Sequence, residues 1–157
     1  MLITSQSVIA GNSPLDARLF LECGKSKDIH IYINNWTDLD LNISSFDDLP
    51  ISKIFERIQI INNESYIKGG KTSNSYRLSL LKPISKYPDS ILNIKSKLMG
   101  NERIRITIKN IANYYELKEN VDYSIYFNWS YDYTILNTKN STQPSTVISK
   151  PISFKCW

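Results

Sequence analysis

His30 is the only histidine in the chain, which removes most familiar catalytic and metal-binding designs at once. An HExxH zinc site needs two histidines on one helix face, and a Cys₂His₂ site needs two of each ligand. The run Asp28-Ile29-His30-Ile31-Tyr32-Ile33-Asn34 alternates as a strand does, with three isoleucines on one face and His30 on the other. That setting puts the imidazole at a surface or sheet edge rather than in a Ser-His-Asp machine. No GxGxxG, GxxxxGK[ST] or GxSxG motif occurs, and with 5 glycines no phosphate-cradling loop is expected. Asp38, Asp40, Asp47 and Asp48 crowd together but lack the D-x-D-x-D-G spacing of a calcium loop, so they read as solvated turns. The expectation is a non-enzymatic chain with no catalytic residue, no metal site and no cofactor.

The 2 cysteines, Cys23 and Cys156, lie near opposite ends and cannot form a CxxC motif. Either both are buried thiols, or one disulfide joins an early strand to the last. A bridge would imply an oxidising compartment, periplasmic or secreted; free thiols would fit the cytoplasm. The opening Met1-Leu2-Ile3-Thr4-Ser5-Gln6 has no basic n-region, so it does not read as a signal peptide. No apolar run is long enough for a membrane span.

Charge is uneven: residues 1–50 carry a net −4, residues 51–111 a net +8, and residues 112–157 are neutral. The basic middle could meet phosphate or an acidic protein surface. Its lysines are scattered singly among Ser, Asn and Ile, without an aromatic RNA-binding cluster, so no nucleic-acid partner is expected.

These side chains must be carried by strands. The 157 residues include 23 Ile and 8 Thr against 3 Ala, and β-branched side chains suit a pleated sheet better than a helix. Alternation marks strands over residues 17–23, 29–34, 39–43, 54–61, 103–109, 123–129 and 131–136, with shorter ones over 66–68 and 91–98. Pro83 and Pro88 mark an irregular stretch, the polar residues 137–145 an exposed loop, and residues 147–156 the last strand. No repeat or linker divides residues 1–157, so one domain is expected.

The most specific local signal is Leu117-Lys118-Glu119-Asn120-Val121-Asp122-Tyr123. It resembles the Leu-x-Pro-Gly-x-x-Tyr corner of immunoglobulin-like sandwiches, in which the tyrosine hydroxyl bonds back to upstream backbone. Asn120 stands where glycine is usual, and asparagine enters the left-handed region more readily than most residues. The expected fold is an all-β, immunoglobulin-like antiparallel β-sandwich with a tyrosine-corner-like Greek-key crossover.

A wider resemblance runs through Ile31-Tyr32-Ile33-Asn34-Asn35-Trp36-Thr37-Asp38-Leu39-Asp40-Leu41, Ile54-Phe55, Tyr66-Ile67-Lys68-Gly69, Asn101-Glu102-Arg103-Ile104-Arg105-Ile106-Thr107-Ile108, Tyr114-Tyr115-Glu116-Leu117 and Asp122-Tyr123-Ser124-Ile125-Tyr126. This series resembles the N-terminal immunoglobulin-like domain of bacterial deuterolysin-type (peptidyl-Lys) zinc metalloendopeptidases. The protease domain with its HExxH helix is absent from the sequence. A copy of such a domain without its protease implies a protein that binds one: an inhibitor, or an immunity protein against a metallopeptidase or peptidase toxin. Binding is expected on exposed loops, over residues 62–75 with Tyr66, Lys68 and Lys71, and over residues 128–133 with Trp129, Tyr131 and Tyr133. Trp129 fits the core as well, and Tyr131 and Tyr133 could be ordinary strand residues. The alternative is a carbohydrate-binding or adhesin-like sandwich, which would expose two or three coplanar aromatics.

Overall fold

The computed structural model describes residues 2–4, 13–68, 76–88 and 90–155, with backbone alone for residues 2–4, 65–68 and 76–79. Strands make up 45% and helices 9%, so the expected all-β class holds. One sheet pairs β1 (Leu2–Thr4), β2 (Leu15–Glu22), β3 (Ile29–Asn35) and a strand from Arg103 to Ile108, in that order. The alternation read from the sequence carries through. Leu15, Ala17, Leu19 and Leu21 of β2 and Ile29, Ile31 and Ile33 of β3 face inward and are fully buried.

The second sheet is built around one long strand. Between the sheets' first and last strands come β4 (Leu41–Asn42), the short helix α1 (Ile51–Phe55), β5 (Ile58–Lys68), β6 (Tyr76–Leu80), β7 (Lys97–Leu98) and β8 (Arg103–Ile108). Then β9 (Tyr123–Ile135) runs the length of the sheet, followed by β10 (Gln143–Ile148) and β11 (Ile152–Phe154). On one flank of β9, β5 pairs with residues 123–127 and β4 with residues 134–135. On the other, β10 pairs with residues 128–133 and β11 with residues 123–125. All registers are antiparallel, and the chain crosses between sheets from β3 to β4, back from β7 to β8 and again from β8 to β9, as in Greek-key sandwiches.

The tyrosine corner forms as expected. The Lys118 N–H donates to the Tyr123 hydroxyl at 2.9 Å, and Asn120 sits at φ 59° in the left-handed region. Tyr123 is buried and stacks on Phe154, so the bond holds the β8-to-β9 crossover against the core.

Several boundaries differ from the sequence expectation. Residues 54–61 are not one strand, because Pro50 opens the helical turn α1 and the strand begins only at Ile58. Pro50 is the N-cap, in extended backbone, where no intrahelical N–H donor is required of it. Over residues 91–98 only Lys97 and Leu98 are strand, and over residues 39–43 only Leu41 and Asn42. The expected loop 137–145 yields to β10 from Gln143, and the last strand is split around Lys150-Pro151. Residues 123–135 form a single strand, β9, rather than two, and Leu136 falls in the turn that follows.

Candidate binding face

Strand alternation that buries the isoleucines of β3 must turn its even-numbered residues outward, and pairing fixes what they meet. Asp16, Asn34 and Arg103 lie in one row across β2, β3 and β8; Arg18, Tyr32 and Arg105 in the next; Phe20, His30 and Thr107 in the third. Three arginines therefore gather on the outer face of this sheet, two of them from a strand about seventy residues distant in sequence.

Each guanidinium is held by a polar neighbour. Arg18 Nε donates to Asp16 Oδ2 at 3.3 Å, Asn34 Nδ2 donates to Asp16 Oδ1, and Arg103 Nε donates to Asn34 Oδ1. Arg103 and Arg105 both lie over the Tyr32 ring, at 5.7 and 5.9 Å from its centroid. Phe20 meets the same ring edge-on, with centroids 5.0 Å apart. Cation–π contact and fixed hydrogen bonds together hold the arginines upright while their charge stays in water.

His30 anchors the third row and corrects the expectation of a surface imidazole, for it is only 5% exposed. An arginine has no acceptor, so the 3.0 Å contact of Arg105 Nη2 makes Nδ1 of His30 the acceptor. The ring proton then sits on Nε2 and points to Glu22 Oε1 at 3.2 Å, while Thr107 Oγ1 lies 3.0 Å from Nδ1 and shares its single lone pair with Arg105. The His30 hydrogen bond, joined by one from Ser26, holds the Glu22 carboxyl below the usual carboxylate range. His30 is thus a positioning residue for Arg105.

At the end of the face, Trp36 is 50% exposed with its indole N–H donating to the Ser13 carbonyl at 2.7 Å. Asp16, Arg18, Asn34, Trp36 and Arg103 line one open cleft there. Two turns are stapled together behind it: Asn35 Nδ2 donates to the carbonyls of Leu39 and Met99, and the Gly100 N–H donates to Asp40. Asp40, and Asp38 through Asn101, thus serve as turn staples, and no group of three or more potential metal ligands occurs among the described residues.

The residues expected to bind a partner fare differently. Trp129 and Tyr131, each 4% exposed, belong to the core of β9 and not to an exposed loop. Phe46, Trp129 and Tyr131 stack in a ladder with centroid spacings of 4.9 and 5.0 Å, and the Tyr131 hydroxyl is bonded to Ser13. Tyr133 is half-buried and donates to Gln143 of β10. The cause is the unbroken ladder of β10 on β9, which turns odd-numbered residues inward as far as Tyr131. Tyr66 and Lys68 fall in the backbone of β5, so that part of residues 62–75 is strand, and Lys71 lies outside the described residues. Sequence reasoning did not single out Arg18, Tyr32, Arg103 and Arg105 as a group. Their same-face spacing was legible within each strand, but not the pairing of β3 with β8 that unites them.

Cys23 is disulfide-bonded; the chain's only other cysteine, Cys156, lies outside the described residues. Among the described residues no helix is long and apolar enough to cross a membrane.

The fold and face define an antiparallel β-sandwich that presents a fixed arginine and tyrosine surface. No family model matches the chain, and neither a curated protein nor a solved structure shows significant similarity to it.

Proposed function

We propose that the protein is a non-enzymatic protein-binding module whose docking surface is the outer face of β2, β3 and β8. The observation that carries this reading is the set Arg18, Arg103 and Arg105 gathered around Tyr32, each arginine charged, solvent-facing and already held in place. Arginine and tyrosine are the residue types that dominate binding hot spots, and side chains fixed before binding lose less entropy on docking. The loops first favoured from sequence give way to this strand face as the main contact.

The partner we propose is a zinc metallopeptidase or peptidase toxin, with this chain acting as its inhibitor or immunity protein. Support comes from the resemblance to a peptidase-associated domain, which concerns the partner and not the face. The bonded state of Cys23 favours a periplasmic or secreted location for the encounter. The carbohydrate alternative has less behind it. The stacked ladder of Phe46, Trp129 and Tyr131 is buried, and the outward pair Phe20 and Tyr32 meets at 78°, not as a coplanar platform.

The test is a calorimetric titration of the chain against a panel of deuterolysin-type and toxin metallopeptidases, with residual peptidase activity read alongside. Saturable heat with inhibition for at least one member is the expected result. No heat and no inhibition across the panel, beside clear binding to a glycan array, would assign the chain to the carbohydrate class.

A further inference from the structure

β8 is an edge strand. It pairs with β3 on one side, and among the described residues no strand pairs with the other. Which of its backbone groups face outward follows from a single bond. The Asn35 N–H donates to the Glu102 carbonyl at 2.9 Å, so the pair Asn35 and Glu102 is a hydrogen-bonded one. In an antiparallel ladder such pairs alternate. Ile104, Ile106 and Ile108 therefore spend their N–H and C=O groups on β3, and Arg103, Arg105 and Thr107 direct theirs to the open edge. The residues with free backbone groups are the same ones whose side chains stand on the arginine face.

We infer that this edge accepts an extended segment of the partner protein as an added strand, one that alternates acidic and apolar residues. The inference rests on the protein-binding reading above and names the partner's chemistry at that site. An added strand places its outward side chains directly beside Arg103 and Arg105, and residues two apart in any strand are spaced about 6.7 Å, as those two arginines are. Carboxylates at that spacing meet both guanidiniums. The intervening side chains fall beside Ile104, which is only partly covered at the sheet margin.

Two other occupants fit less well. In a second copy of this chain, edge pairing in the phase that uses the free groups sets the arginine rows against each other, and like charges directly opposite destabilise a sheet. A DNA backbone supplies acceptors only, so it leaves the open carbonyls of Arg103 and Arg105 without donors, and any nucleic acid must also bring its phosphates close to Asp16 and Glu22. β10, a further edge, carries Pro144, which cannot donate to a ladder.

The probe is a capped heptapeptide, Glu-Val-Glu-Val-Glu-Val-Glu, added to the disulfide-bonded chain of 157 residues labelled for amide exchange by NMR. The amides of Arg103, Arg105 and Thr107 should gain about tenfold or more protection on saturation, with no gain at Ile104 and Ile106. N-methylation of alternate residues of the peptide should abolish the effect, as should replacing its Glu by Lys. No binding, or binding that shifts arginine side chains without protecting those three amides, overturns strand addition. So does the same protection arising from self-association of the free chain. The peptidase titration is independent: its failure with the amide protection intact would sink the peptidase partner and leave the edge assignment standing.

Discussion

Arg105 joins two rows of the outer face, resting over Tyr32 while donating to a histidine that is itself tied to Glu22. A cation–π contact and a hydrogen bond at the edge of solvent contribute little to stability, so their worth lies in fixing direction. Tyr123 is the opposite case, a buried hydroxyl with one backbone donor. Tyr123→Phe leaves the Lys118 N–H without that acceptor and should lower unfolding free energy by about 1 kcal/mol, read as a shift of the urea midpoint at constant slope. The corner was legible in seven consecutive residues because its chemistry is local. The arginine cluster was not, since its members meet only through strand pairing. Burial pushes the phenols of Tyr115 and Tyr131 above the ordinary tyrosine value of 10.0. Their folded-state proton affinity is raised, so the associated stability is complete below pH 10 and lost as pH rises above it, where the unfolded chain ionises first. Chemical denaturation from pH 9 to 11 should show falling midpoints, and Tyr115→Phe should flatten that fall.

At the scale of elements, β9 does most of the organising. It is flanked along its length by β5 and β4 on one side and by β10 and β11 on the other. Alternation in the sequence announced β2, β3 and β8 because one face of each is apolar, save Asn35 at the end of β3. It failed at residues 54–61 and 91–98, where apolar residues serve a helical turn or an irregular stretch and the period carries no strand meaning. The turn before β8 depends on a close approach: a Cβ at Gly100 would sit 2.6 Å from the backbone of Asp38. Gly100→Ala should therefore cost about 1–3 kcal/mol, the range of an overpacked contact between backbones. A thermal midpoint equal to the parent's would show that the two turns are not packed as described.

At the scale of the whole molecule, the covalent link at Cys23 adds to a core that already spans both sheets. A crosslink that closes a long loop typically contributes 2–4 kcal/mol, model-dependent in mechanism. Cys23→Ser, or reduction of the parent, should lower stability by about that amount and leave the far-ultraviolet spectrum of the sandwich in place. An unchanged midpoint under reductant would remove the bond from the account of stability. The all-β class and the Greek-key crossover could be read from composition and one corner, whereas the arginine face required the register of three strands. Docking of a protein partner on that face, as proposed, is tested by a titration of Arg103→Gln/Arg105→Gln beside the parent chain. Against a metallopeptidase that binds the parent, affinity should fall about thirtyfold or more with the thermal midpoint unchanged. Equal affinity for the variant and the parent would contradict it.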